Sequence, residues 1–521
     1  MKTAVHIIIT MAGHSRRFQA AGLHTPKAFL KIGNKLMIEH VVEMFDQEDI
    51  YHFVLNQNQF DQYSKEVGEL KKLVKNCNLT VIPPHDFGPT FSALQVQGIP
   101  SSAEVIISYC DFKVCWNYPK FLRDARQNDA SVPIFKGFHP ASFGNTYYAY
   151  IRANENSFEE LREKKSFTTK RSEEPASVGI YYFRNYKTFE KYSKQLISSP
   201  LGQMNEAYTS LLFNKMKEDG LEISIYEVDK FICLGTPEDV EQYNFWFNCF
   251  NKNSNGHDKI YEQTNLIPVA GLGQRFQDAG HKVLKPFIAV DNKPMFETAC
   301  KTFPKSTKWF FLFQNENIQK YSLELLIKNK FENATVLGID HETSGQASTC
   351  LIAKSQIEGH LPLFIASCDY KTIYNYEKWQ QIVEDYSVDG VIWTFRLKNT
   401  LVKNYNSFAY CKTAKDQKTV LEIVEKKIIS ETPAQDPMVV GSFWYRKASD
   451  FIVSAESMIS KNTRINGEFY VGTSINQLIK NGKKIVIFDI DQWITFGDPF
   501  ELEIYNYWGE YFKYDEFNST Y

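Results

Sequence analysis

Two stretches of the 521-residue chain follow a glycine-containing turn with an arginine, and ten residues later a lysine. Thr10–Phe29 reads TMAGHSRRFQAAGLHTPKAF, and Pro268–Phe287 reads PVAGLGQRFQDAGHKVLKPF. A short apolar run leads into each, the pattern of a strand entering a tight turn. Backbone N–H groups gathered at such a turn bind phosphate, and glycine allows an approach that a side chain would block. The candidate cradle is Ala12, Gly13, His14 and Ser15 in the first copy, and Ala270, Gly271, Leu272 and Gly273 in the second. Arg17 and Arg275 can grip phosphate oxygens with a planar fork, while Lys27 and Lys285 supply compact point charges. Neither copy has the G-x-G-x-x-G of dinucleotide folds or the G-K-[ST] of a P-loop. Because Ser15 stands where the second copy has Gly273, the second loop is expected to be the better phosphate cradle.

Asp111 and Asp369 follow the apolar runs VIISYC and LFIASC. A carboxylate there needs a cation or a donor, and ligands of open α/β sheets collect beyond the carboxyl ends of strands. The functional reading is a Mg²⁺ ligand, and the plain alternative is a turn or helix-capping aspartate. Other features read more plainly. His14 and His24 border the first loop as polar surface, and the mixed charges of YSKEVGELKKLVKN mark a solvated helix face. Asp489-Ile-Asp491 resembles a D-x-D metal motif but comes too late in its half. The aromatic tail Tyr505–Phe517 reads as a packed terminal helix or an oligomer contact.

These residues are organised by a repeat. Gly13, Arg17, Lys27 and Asp111 fall on Gly271, Arg275, Lys285 and Asp369 at an offset of 258. REKK (162–165), SVGIYYF (177–183), NEAY (205–208) and VDKFICLGTPEDV (228–240) fall on VEKK, VVGSFWY, GEFY and IDQWITFGDPFEL at 262. So long a period implies duplication of a whole domain, not a solenoid. The expected division is 1–250 and 262–521, with an Asn-rich linker at 251–261. In each half, strand-like and helical runs alternate: AVHIIIT, MIEHVVEMF, YHFVLN, QYSKEVGELKKLVKN and LTVIPP in the first, KWFFLFQ, YSLELLIKNK and ATVLGID in the second. The expected class is therefore α/β, with two tandem domains, each a mostly parallel mixed sheet flanked by helices.

Composition narrows the partners. A net charge of −2 gives no reason to expect nucleic acid, and no apolar run reaches membrane-spanning length. Nine cysteines without C-x-x-C or Cys/His spacing suit a reducing cytosol. A cytoplasmic protein with small phosphorylated partners is the expectation.

The order of the loop MAGxxxRF…PK or VAGLGQRF…LK, then GPTFSAL or GQASTCL, CDF or CDY, EKK, VGIYYF and GTPEDV resembles the sugar-1-phosphate nucleotidyltransferases, or NDP-sugar pyrophosphorylases. The likeness covers most of both halves and is similar to the enzymes of capsule and surface-polysaccharide precursors. It implies a GT-A-like, Rossmann-type fold, an NTP and a phosphorylated sugar or related small molecule as substrates, and Mg²⁺ as cofactor. It also implies Arg17 and Arg275 on the leaving pyrophosphate and Lys27 and Lys285 on the α-phosphate. Gly88 and Gly345 would line the base and ribose pocket. Glu163, Lys164, Gly179 and Glu206, with Glu425, Lys426, Gly441 and Glu468, would meet the sugar phosphate. Many members place a second metal aspartate two residues before the late Gly-Thr, where this chain has Cys233 and Thr495. Asp229 and Asp491, four residues upstream on the same strand face, are the candidates to replace it. Two alternatives remain open at this level: one catalytic half with a regulatory nucleotide-binding half, or a glycosyltransferase that consumes a nucleotide sugar.

Overall fold

The computed structural model of the chain describes residues 4–199, 206–251, 259–397 and 404–519, with side chains as far as Lys513. It divides into two compact units whose boundary falls between Asn248 and Cys249. Most of the expected linker, 252–258, lies outside the described residues. Of its flanks, Asn251 ends the helix Pro237–Asn251 and Ile260 opens the strand Ile260–Pro268.

In the first unit four strands run parallel in the order Asn76–Ile82, Ile50–Asn56, His6–Thr10, Val105–Tyr109. Ile180–Phe183 then adds antiparallel to Val105–Tyr109, followed by Ala130–Phe135 and, parallel to it, Ile223–Glu227. The second unit repeats this order with Ala334–Ile339, Lys305–Gln314, Ile260–Pro268, Leu363–Ala366, Met438–Tyr445, Gly390–Phe395 and Ile485–Asp489. The apolar runs are continuous because both sheet faces are covered. Ile7 and Ile9 enter one buried cluster while Ile8, between them, enters the other.

This order fixes where a ligand can sit. From the strand His6–Thr10 the chain first builds outward on one side, then returns to place Val105–Tyr109 on the other. The loops leaving these two adjacent strands diverge at their carboxyl ends, the switch point at which open α/β sheets bind ligands. The glycine turn follows the first strand and Asp111 follows the second, which are in register at Thr10 and Tyr109. A separate two-stranded ribbon, Phe112–Cys115 with Lys230–Cys233, brings the late Gly-Thr-Pro segment back to Asp111. Tyr370–Ile373 and Gln492–Thr495 do the same for Asp369.

Gly88 and Gly345 have a structural duty in this frame. Their φ values are +89° and +126°, and a Cβ at either would stand 2.6 Å from the backbone N of Ala207 or Phe469. The two backbones meet there through Thr90 N–H to Ala207 O and Ala347 N–H to Phe469 O, both 3.0 Å. The terminal helix Pro499–Ser519 buries Tyr505, Trp508, Tyr511 and Phe512; the tail side chains from Tyr514 lie outside the described residues.

Gly345→Ala should therefore lower the melting temperature clearly, at a cost of about 2–4 kcal/mol from left-handed backbone strain and steric overlap. Gly271→Ala, where a Cβ meets nothing within 4 Å, should cost far less. Thermal unfolding of the two variants reads the contrast, and equal losses would contradict it.

Candidate functional site

The two glycine-containing loops enter their helices with the same backbone conformation in both units. Ser15 sits at φ 56°, ψ 34° and Gly273 at φ 65°, ψ 36°, each just before a short helix that carries the arginine. The backbone ground for expecting the second loop to be the better cradle is corrected: with serine the left-handed conformation is kept, and the Ser15 hydroxyl accepts the Lys27 N–H at 3.0 Å. In the second unit the Lys285 side chain presses where a Cβ would be, 2.7 Å away, so glycine is required. Backbone shape gives no ground for preferring the second loop.

Both lysines reach across the switch point. Lys27 Nζ donates to Asp111 Oδ2 at 2.7 Å, and Lys285 Nζ to Asp369 Oδ2 at 2.6 Å. The side chains of these pairs are only 20–27% exposed, so each charge needs its partner. Burial works against the two ammonium groups, yet Asp111 and Asp369 outweigh it and hold both above the usual lysine value. The cation that each strand-end aspartate requires is thus supplied by the chain's own lysine.

Arg17 is exposed, and Arg275 is 77% exposed, with Asp498 3.6 Å from its guanidinium. Both can turn to an arriving anion. In the first unit Arg16 Nη2 donates to both oxygens of Asp86 at 2.7 and 2.8 Å, with His14 at 3.3 Å, so the loop is tied to the segment before Gly88. The second unit has Leu272 and Gln274 at these loop positions.

Asp229 and Asp491 are not brought to Asp111 and Asp369. In the ribbon Cys233 pairs with Phe112 while Lys230 pairs with Cys115, so Asp229 stands at the far end. Asp491 donates its N–H to Ile373 O, at the far end of the second ribbon. Period two places residues on one face but does not say which end of a ribbon they reach; four residues span about 13 Å. The second carboxyls near the strand-end aspartates are Asp239 and Glu501, which sequence reasoning missed. A Cβ on Gly235 would lie 3.3 Å from Asp111 Oδ2, and one on Gly497 would lie 3.1 Å from Asp369 Oδ2 and 3.5 Å from Glu501 Oε2. Asp239 accepts from Thr236 N–H and Oγ1 and from Cys233 Sγ, and Glu501 accepts the Gly497 N–H. Burial pushes both carboxyls up, and the nearby charge of Asp111 or Asp369 adds to it. The available signal was that 239 and 501 match at the 262 offset and stay acidic while their neighbours change.

At the other end of each site stand Glu163–Lys164 and Glu425–Lys426. Lys164 and Lys426 adopt φ of 53° and 54°, a conformation unusual for lysine, found at the same point in both units. Lys164 Nζ donates to the Tyr208 hydroxyl at 2.5 Å, and that hydroxyl donates to Glu206. Lys426 donates to Ser407 O at 2.5 Å, and a bond to Glu468 helps burial push the Tyr470 phenol up. Gly179 and Gly441, at φ 95° and 93°, lie between the two ends: a Cβ on Gly179 would meet Phe112 and Tyr109, and one on Gly441 Tyr370 and Ser367. In the first unit an aromatic group, exposed Phe87 with half-buried Phe91 and His85, adjoins Gly88; its ring centroids are 4.7–5.8 Å apart. The second unit has serine at both phenylalanine positions, and the sequence reading had overlooked this group.

The donor set fits Mg²⁺. That ion takes one or two carboxylates and completes its shell with phosphate and water. Asp111 with Asp239, or Asp369 with Glu501, supplies this around a glycine that leaves room beside the carboxylate. Among the described residues no cluster of three or more His, Cys, Asp or Glu forms a closed protein cage.

No protein-family model matches the chain, and no curated protein sequence matches it. Solved structures resemble it over about half its length. They include a nucleoside-diphosphate-sugar pyrophosphorylase from Vibrio cholerae RC9, 18% identical, covering 46% of this chain and 98% of that one with a TM-score of 0.38. An inositol-1-phosphate CTP transferase from T. maritima is 12% identical over 48% and 95%, with a TM-score of 0.37. A UTP-bound UGPase from Acinetobacter baumannii is 17% identical over 47% and 92%, with a TM-score of 0.37. These neighbours are pyrophosphorylases and nucleotidyltransferases of low identity.

Glu425 provides a pH test of the site. Burial, only partly opposed by Lys426, pushes its carboxyl from 4.5 to about 7. The folded form therefore holds a proton that the unfolded chain releases, and stability falls as pH rises from about 4.5 through about 7. Glu425→Gln should flatten part of that fall, by at most about 3 kcal/mol. Melting temperatures at pH 5 and pH 8 read it; an unchanged pH slope would contradict the assignment.

Proposed function

We propose that the chain is a tandem nucleotidyltransferase, the product of a domain duplication. It condenses an NTP with a sugar-1-phosphate, or a similar phosphorylated small molecule, to an NDP-sugar and pyrophosphate. The motif order further supports a cytoplasmic enzyme supplying surface-polysaccharide precursors. The observation that carries the reading is the pair Lys27–Asp111, reproduced as Lys285–Asp369 at the switch point of the second sheet. The nucleotidyltransferase neighbours are consistent with it.

In this reading the loops at Gly13 and Gly271 receive the triphosphate and the segments at Gly88 and Gly345 the nucleoside. Arg17 or Arg275, exposed beside the loop, closes onto the β and γ oxygens and offsets the charge of the leaving pyrophosphate. Lys27 or Lys285 transfers its hydrogen bond from the aspartate to the α-phosphate, which it neutralises and holds in line. The acceptor's own phosphate oxygen attacks the α-phosphorus, and the bond to the bridging oxygen of pyrophosphate breaks. A phosphate monoester is already ionised near neutral pH, so no general base is needed. Glu163–Lys164 or Glu425–Lys426, with Glu206 or Glu468, orient the acceptor. Mg²⁺, held by Asp111 with Asp239 or Asp369 with Glu501, would add charge neutralisation at the phosphates.

Pyrophosphate release across several NTPs and sugar-1-phosphates, with and without Mg²⁺, tests the reading. Lys27→Ala and Lys285→Ala should each remove one Mg²⁺-dependent activity, about 10²-fold or more. The double variant should be inert. Absence of pyrophosphate release from every pair would overturn the proposal, and loss of all activity from one single variant would reduce it to one catalytic half.

A further inference from the structure

The acceptor ends of the two units share their charged residues but differ in what surrounds the glutamate. In the first unit Ser210 Oγ donates to Glu163 Oε2 at 2.5 Å. Two phenols, Tyr109 and Tyr181, stand close enough for the Glu163 charge to join burial in pushing both up. The repeat offsets place Ser367, Phe443 and Gly472 of the second unit on Tyr109, Tyr181 and Ser210. The strand registers agree, since Tyr181 pairs with Ile107 and Phe443 with Ile365. Asn214 and Asn476, four residues after Ser210 and Gly472, accept the N–H groups of Leu161 and Ile423, two residues before the glutamates. All three hydroxyl-bearing neighbours are thus removed or shortened in the second unit.

The consequences are visible. Glu425 folds over Gly472, where a Cβ would stand 2.5 Å from its Oε1, and no hydrogen bond reaches its carboxyl among the described residues. At the position of Tyr109 the second unit has the shorter Ser367. A Cβ on Gly179 would meet Phe112 and Tyr109 at 3.0 and 3.2 Å, whereas one on Gly441 would meet Tyr370 and Ser367 at 3.8 and 3.9 Å. Gln346, at the position of Pro89, bonds Ser367 Oγ at 3.2 Å.

Building on the nucleotidyltransferase reading, we infer that the two units take different acceptors. The second takes a phosphorylated polyhydroxy compound that is bulkier at this end and donates hydroxyls to Glu425. In the first unit Glu163 is already satisfied by Ser210, and the tyrosines occupy the equivalent volume. Ser210/Gly472, with Tyr109/Ser367, are the residues that set the difference. A largely buried carboxyl without a protein hydrogen-bond partner discriminates between ligands, because one that covers it without a matching donor leaves it unpaired.

The experiment uses the full chain with one unit silenced, Lys285→Ala to observe the first and Lys27→Ala the second. Each is assayed for pyrophosphate release and titrated calorimetrically with a panel of sugar-1-phosphates and polyol phosphates. The two should prefer different acceptors. Gly472→Ser in the Lys27→Ala chain should raise the acceptor KM at least tenfold and leave the NTP KM unchanged. Ser210→Gly in the Lys285→Ala chain supplies the reciprocal variant and should admit acceptors that the first unit otherwise rejects. One acceptor profile for both units, or substitutions at 210 and 472 that leave acceptor binding unmoved, would overturn the inference while sparing the reading. Distinct acceptor binding without any pyrophosphate release would overturn the reading and sustain the divergence. No acceptor binding at either unit would overturn both.

Discussion

A half-buried lysine paired with a half-buried aspartate, across the gap between two adjacent parallel strands, is the constraint on which each site depends. The lysine comes from the turn that follows the glycine-containing loop, the aspartate from the end of the neighbouring strand. Neither charge is stable alone at that depth, so each positions the other and the pair holds the loop against the sheet. In the proposed function, an arriving phosphate would draw the lysine from the aspartate and leave that carboxylate to a divalent cation.

The two units share this device and the backbone that carries it. The loop residue before the short helix is left-handed in both, whether serine or glycine, and so are Lys164 and Lys426, each after its glutamate. What differs is hydrogen-bonding capacity around that glutamate and aromatic surface around Gly88. One unit meets its glutamate with its own hydroxyl and presents phenylalanines; the other leaves its glutamate short of partners and presents serines. Charge and backbone geometry are kept between the units, whereas hydroxyls and rings vary.

Much of the frame was legible in the residues. HIIIT, VIISY and LFIA announced strands buried on both faces because no polar residue of an exposed face interrupts them enough to suggest a solvated side. The repeat exposed matched positions, and residue type singled out Lys27 and Asp111, which the fold brings together. The error over Asp229 and Asp491 arose from a sound local rule applied without topology: alternate residues share a face, but an antiparallel partner decides which end of it faces the site. Asp239 and Glu501 were hidden by their place at the start of a helix, where an acidic residue is ordinarily a cap.

By itself the sequence determined two α/β units, their strands, and the cations and carboxylates that could act on phosphate, since these follow from local periodicity and side-chain chemistry. Only the tertiary structure decided that Lys27 meets Asp111, 84 residues away, and that Glu163 meets Ser210 while Glu425 folds over Gly472. Those contacts depend on which strands are neighbours at the switch point and on ångström-scale space around a carboxyl, and neither is encoded in the spacing of residues along the chain.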